Sequence, residues 1–239
     1  MIEELVRPEV AARDVFGDVA AHRLFAAERA LVEGAVEERV REFTTVRWAA
    51  AQCLRRLRRP QAPLLPGPFG APRWPDGLVG SLTHCRGYRA AVVAPASAAS
   101  GLGVDAEPHA ALSPGVLRRT ASAGELRHLA ELRAAHPAVH WDRLLFCAKE
   151  AFYKVWSPAV GGPLGFGDAE VAFGAGPVDG RGGRFVVRLT GAARGRSEKH
   201  AGFPALRGRW VARRGILVAA IAAAADELPD GGSPRARGR

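Results

Sequence analysis

The chain has 239 residues, 48% of them hydrophobic, enough to fill the core of one large domain or two small halves. Its formal charge of +10 points to an anionic partner without separating nucleic acid from a phosphorylated small molecule or an acidic protein. No apolar run approaches the roughly 18 residues that cross a bilayer, and Cys53, Cys85 and Cys147 have neither disulfide nor metal spacing, so a cytoplasmic protein with reduced thiols and no signal peptide is expected.

Between about Glu28 and Arg58, Leu31, Val32, Val36, Val40, Phe43, Val46, Ala50, Cys53, Leu54 and Leu57 recur at helical spacing, which predicts one helix or two in succession. Arginines stud this segment at Arg39, Arg41, Arg47, Arg55, Arg56, Arg58 and Arg59. The stretch RRPQAPLLPGPFGAPRWPDG is too rich in proline and glycine for an element interior and reads as a loop. GLVGSLTHC and YRAAVVA, either side of Arg86-Gly87, predict a hairpin, and GLGVDAE a third short strand closed by Pro108. A second set of elements follows: a helix at GELRHLAELRAAH, a helix from about Trp141 to Trp156, and hairpins at AEVAFGA/RFVVRL and GRWVARRGILVAAIAA. Helices with short antiparallel strands in each half make the expected class α+β. After DELPDGGS the tail PRARGR reads as disordered.

Three constellations carry chemistry. On a strand, Asp105 and Glu107 project from one face while Leu102, Val104 and Ala106 pack on the other. The two carboxylates are either a solvated strand face or a pair of hard oxygen ligands suited to Mg²⁺. The second constellation uses the scarcest charge in the chain, whose only lysines are Lys149, Lys154 and Lys199. Glu150 and Lys154 lie one helical turn apart on one side. A surface ion pair would serve as well with arginine, whereas lysine is a compact charge able to give up a proton. Lys149 sits about 140° around the helix from Lys154. The third is Ser81-Leu82-Thr83-His84-Cys85, where the Thr83 hydroxyl and a protonated His84 can bind phosphate oxygens; a thiol nucleophile at Cys85 is disfavoured because neighbouring strand residues face opposite ways.

Taken in order, SLTHC, GVDAEP and WDRLLFCAKEAFYK resemble the phosphopantetheinyl transferases of the surfactin and enterobactin type, whose hallmark is G-[IV]-D-x-E followed by a K-E-[AS]-x-x-K helix. The likeness extends through EFTTVR, WPDG and LRGRW to the actinomycete members that prime polyketide and non-ribosomal peptide synthases. It implies two similar-sized, pseudo-symmetric subdomains, each a small antiparallel sheet packed with helices, here drawn as residues 1–108 for the nucleotide side of coenzyme A, residues 109–225 for the KEAFYK helix and carrier docking, and a basic tail, 226–239.

Carried over, the metal ligands (Mg²⁺, or Mn²⁺ in its place) fall on Asp105, Glu107 and Glu150, and the coenzyme A contacts on Arg39, Arg47, Thr83, His84, Asp105, Glu150 and Lys154, with Lys149 also in the pocket. Glu150, Lys154 and His84 are the implied catalytic residues. Where many relatives have basic residues in the proline-rich loop, this chain has Pro66 and Phe69, which leaves Arg73 or the run from Arg55 to Arg59 to hold the nucleotide 3′-phosphate. The implied partners are acyl, aryl or peptidyl carrier domains acting on a monomer, with no membrane and no nucleic acid. The rival reading is a non-catalytic nucleic-acid-binding protein, supported by arginine content alone.

Overall fold

The computed structural model describes residues 1–19, 22–162, 164–174, 181–196 and 202–228. The elements in chain order are β1 (Ala11–Phe16), α1 (Ala26–Ala30), α2 (Glu37–Arg56), β2 (Leu78–Cys85), β3 (Tyr88–Pro95), β4 (Ala99–Pro108), α3 (Pro114–Thr120), α4 (Ala123–Ala135), α5 (Trp141–Val160), β5 (Ala169–Phe173), β6 (Gly182–Leu189), α6 (Gly191–Arg194), β7 (Leu206–Arg213) and β8 (Ile216–Ala224). No described helix is long and apolar enough to cross a membrane.

The class is α+β, with two antiparallel sheets in the orders β1-β3-β2 and β4-β8-β7-β6-β5. Strand parity explains how they stack. In β3, Ala90, Val92 and Ala94 join Leu102, Val104 and Ala106 of β4 and Val218 and Ala220 of β8 in one buried cluster between the sheets. The alternate residues Ala91 and Val93 face outward onto Ala49, Ala50, Cys53 and Leu54 of α2. On the far side, Leu217, Ala219 and Ile221 of β8 meet Leu144, Ala148, Ala151, Phe152 and Val155 of α5. Each long helix thus covers the outer face of its own sheet.

Two expectations are corrected here. GLGVDAE is not the third strand of the first half: β4 is a ten-residue strand paired with β8, from Ala99 opposite Ala224 to Pro108 opposite Ile216. The last strand of the expected 1–108 segment thus belongs to the second sheet, and the sheets hold three and five strands. The first sheet takes its third strand from β1, which pairs with β3 and which the hydrophobic pattern did not reveal. The tail from residue 229 on, and with it most of the 226–239 segment, lies outside the described residues, as does Lys199.

The two sheets meet at β2 and β4 through side chains. The amides of Val104 and Ala106, on the edge of β4 away from β8, donate to Ser81 Oγ at 3.1 Å and Thr83 Oγ1 at 3.0 Å. Both hydroxyls are buried, and they satisfy strand-edge donors that would otherwise be stranded in the core. On its other face β4 lies against α5 so closely that a methyl at Gly103 would run into the Ala151 carbonyl oxygen. Gly103 is what permits this main-chain approach.

Candidate active site

A cleft of about 890 Å³ opens where α2, β2, β4, α5 and the proline-rich loop converge. It is lined by Arg39 and Arg47 of α2, Thr83 and His84 of β2, Asp105 of β4, and Glu150 and Lys154 of α5. A volume of this order holds a drug-sized ligand.

Lys154 reaches across the joint between α5 and β4. Its Nζ donates to Asp105 Oδ1 at 2.8 Å and to the Val104 carbonyl at 2.9 Å. Thr83 Oγ1 donates to the same Asp105 Oδ1 at 3.3 Å. Asp105 Oδ2 is buried and has no hydrogen-bond partner among the described residues. A buried carboxylate oxygen without a donor is costly, and a hard cation would satisfy it. Burial first, and then the Asp105 charge, raise the Glu150 carboxyl above the ordinary carboxylate range. The same two causes raise Glu107. Acidic groups that repel one another in a partly dry site favour either a proton or a divalent cation.

The three expected ligands are nevertheless not gathered into one cage: among the described residues no three His, Cys, Asp or Glu side chains form a ready group. Glu107 is absent from the cleft wall and accepts from Arg143 NH1 at 2.9 Å. Because Mg²⁺ commonly takes one or two protein carboxylates, Asp105 and Glu150 fit it without Glu107.

Lys149 is corrected outright. Its Nζ is enclosed on the opposite side of α5, donating to Glu125 Oε2 at 2.8 Å, Thr120 O at 2.7 Å and Phe166 O at 2.8 Å. Glu125 in turn accepts from the amides of Ser122 and Val171 and caps α4. Lys149 is therefore a core cation that ties α3, α4 and β5 to α5 and does not line the cleft. Neither Arg73 nor the run from Arg55 to Arg59 lines it, so among the described residues the cleft cations are Arg39, Arg47 and Lys154. Phe69 does line it, at φ 56°, a left-handed conformation unusual outside glycine.

Two residues that sequence reasoning passed over position the arginines. Glu28, 2% exposed, accepts from the amides of Phe25 and Leu64 and pairs with Arg47 at 3.3 Å. Arg47 also donates to the Leu64 carbonyl, pinning the root of the proline-rich loop. Glu42, on α2, stands near the ring of His84. The only sequence signal for either was an acidic residue in the arginine-studded stretch from Glu28 to Arg58. All three cysteines are free thiols; burial raises Cys53 and Cys85 to about 12, which leaves them poor nucleophiles at neutral pH.

Comparison with known proteins adds an independent line. Residues 27–94 match the family of 4′-phosphopantetheinyl transferase N-terminal domains and residues 101–201 match the 4′-phosphopantetheinyl transferase superfamily. The gap between the two matches runs from the end of β3 into the first residues of β4. The chain is 49% identical over 204 residues to the 4′-phosphopantetheinyl transferase Svp of Streptomyces mobaraensis, covering 84% of this chain and 79% of that protein. It is 45% identical over 196 residues to the 4′-phosphopantetheinyl transferase PptT of Mycobacterium tuberculosis, covering 81% and 83%. Likeness to the 4′-phosphopantetheinyl transferase Npt of Nocardia iowensis is 41% over 209 residues, covering 86% and 90%. The chain belongs to the 4′-phosphopantetheinyl transferase superfamily and is an enzyme of that class, with coenzyme A as its substrate.

Proposed function

We propose that this transferase moves the 4′-phosphopantetheine arm of coenzyme A onto a serine hydroxyl of acyl, aryl or peptidyl carrier domains of polyketide, non-ribosomal peptide or fatty acid synthases, in a Mg²⁺-dependent reaction. The observation that carries the reading is the meeting of Lys154 with Asp105 at 2.8 Å, beside a buried and unsatisfied Asp105 Oδ2, in a cleft whose other polar walls include Arg39, Arg47, Thr83, His84 and Glu150. Such a wall suits a pyrophosphate, because cations and hydroxyl donors surround it while carboxylates stand at one end.

The serine oxygen forms a bond to the phosphorus on the pantetheine side, and the bond from that phosphorus to the bridging oxygen breaks. Adenosine 3′,5′-bisphosphate leaves. Glu150, on the cleft wall beside Asp105 and Lys154, receives the serine proton. Lys154 neutralises or protonates the departing phosphate, a task for which a compact ammonium is better shaped than a guanidinium. Arg39, Thr83 and His84 hold the phosphates in line, and Glu28 fixes Arg47 among them. Asp105 and Glu150 would hold the Mg²⁺, with Glu107 joining only on release from Arg143. The ion would supply charge stabilisation to the pyrophosphate.

The nucleotide end is assigned to the side of α2 and the proline-rich loop, and the carrier domain to the rim beside α5. Mass spectrometry of a carrier domain incubated with coenzyme A, Mg²⁺ and the enzyme tests the reading. A phosphopantetheine-sized gain that disappears in Asp105→Asn supports it, and an unmodified carrier from every synthase class sinks it.

A further inference from the structure

His84 is surrounded by charges of both signs, yet its geometry fixes one protonation state. Arg39 NH1 lies 2.9 Å from His84 Nε2. A guanidinium has no acceptor, so this contact requires a lone pair on Nε2: the ring is neutral and its proton sits on Nδ1. Burial, the largest influence, lowers the proton affinity of His84, and Arg39, Lys154 and Arg89 lower it further. Glu42 is the one group among these that raises it. The charged groups facing the ring are therefore Arg39 and Glu42 from α2, Arg89 from β3 and Lys154 from α5.

Glu42 is not free to wander. Its Oε1 accepts from Arg89 NH2 at 3.3 Å while its Oε2 stands 3.6 Å from His84 Nε2. Arg89, 4% exposed, is itself anchored by Asp18 at 2.9 Å and by the Cys85 carbonyl at 2.7 Å. A buried arginine thus holds a carboxylate beside the same imidazole nitrogen that Arg39 occupies.

We propose that Glu42 is a positioning residue which allows His84 to take up one proton from solvent when an anionic ligand draws Arg39 away from Nε2. The proton lands on Nε2, Glu42 becomes its counter-ion, and the phosphate meets two cations, Arg39 and His84, where the ligand-free cleft paired Arg39 with a neutral ring. The inference rests on the proposed reading of the cleft as the coenzyme A site.

The test is calorimetry of coenzyme A binding at pH 8, where phosphates are already ionised, in buffers of different ionisation enthalpy. Wild type takes up a large fraction of a proton per ligand bound. Glu42→Gln loses that uptake, its KM for coenzyme A rises about tenfold more at pH 8 than at pH 6, equivalent to one lost charge-assisted hydrogen bond, and kcat is little changed. Glu42→Asp restores part of the uptake, a rescue that a purely structural role does not predict. Equal uptake in wild type and Glu42→Gln overturns the inference, as does ligand binding by wild type without uptake. The failure of the enzyme reading is seen separately, as absence of carrier modification by wild type. In that event NMR of the His84 imidazole during titration with inorganic sulfate, which carries no proton of its own at this pH, still decides the matter: protonation in wild type and not in Glu42→Gln upholds it, and no change in wild type refutes it.

Discussion

Two lysines of one helix, α5, each pair with a carboxylate from another element at the same 2.8 Å separation. Lys149 and Glu125 are 3% and 4% exposed, whereas Lys154 and Asp105 are 29% and 10% exposed. In the first pair the ammonium spends all three donors on protein oxygens, and Glu125 accepts from two backbone amides as well. In the second, Asp105 keeps one oxygen unsatisfied and Lys154 stands at the edge of a cleft. Distance alone therefore does not separate a strut from a reactive group. What separates them is whether the hydrogen-bonding capacity of the pair is exhausted within the fold.

The sharpest way to break this contrast is to remove each ammonium. Lys149→Ala leaves Glu125 charged and buried and is expected to cost about 3–5 kcal/mol of stability, read as an earlier denaturation midpoint, while transfer per folded molecule is unchanged. Lys154→Ala should do the reverse, keeping the fold and lowering kcat by roughly 10²–10³, the range for loss of one preorganised charge donor. If Lys149→Ala slowed transfer in molecules shown to be folded, the division between the pairs would fail.

A second prediction concerns pH. The folded state binds the Glu150 proton more tightly than the unfolded chain does, since its affinity is raised by burial and by Asp105. Its contribution to stability is therefore present below the ordinary carboxylate pKa and lost as pH rises through the raised value. Glu150→Gln cannot ionise, so in metal-free buffer its melting temperature should exceed that of wild type by a margin that widens from acid to neutral pH. Added Mg²⁺ should narrow the margin. A constant margin across pH would show that Glu150 carries no such burden. The smallest effect is expected from Lys154→Arg, which keeps the charge: a modest loss of kcat indicates that the compact, proton-giving ammonium matters, and an unchanged rate that charge suffices.

How much of this was legible in the sequence depends on the range of the information. Strand parity put Asp105 on the face opposite Leu102, Val104 and Ala106, and helical spacing put Glu150 one turn from Lys154; both local relations hold in the structure. The same spacing said that Lys149 points away from Lys154, but not that Glu125, in another helix, waits there. Parity likewise could not say that β4 pairs with β8, more than a hundred residues on, since that choice is made by long-range packing. β1 was missed because AARDVF sets its apolar residues in two adjacent pairs on either side of Arg13-Asp14, so it shows no alternation. Glycine at 103 was read only as part of a motif, while its reason, the closeness of Ala151, exists only once α5 lies on β4.

The two hydroxyls of Ser81 and Thr83 act as rivets between plates that are otherwise pressed together by apolar side chains. Among the described residues no strand-to-strand ladder crosses from β2 to β4, so this seam can be loosened one oxygen at a time without dismantling either sheet. Drift at these two positions would change how wide the cleft stands while leaving both halves folded.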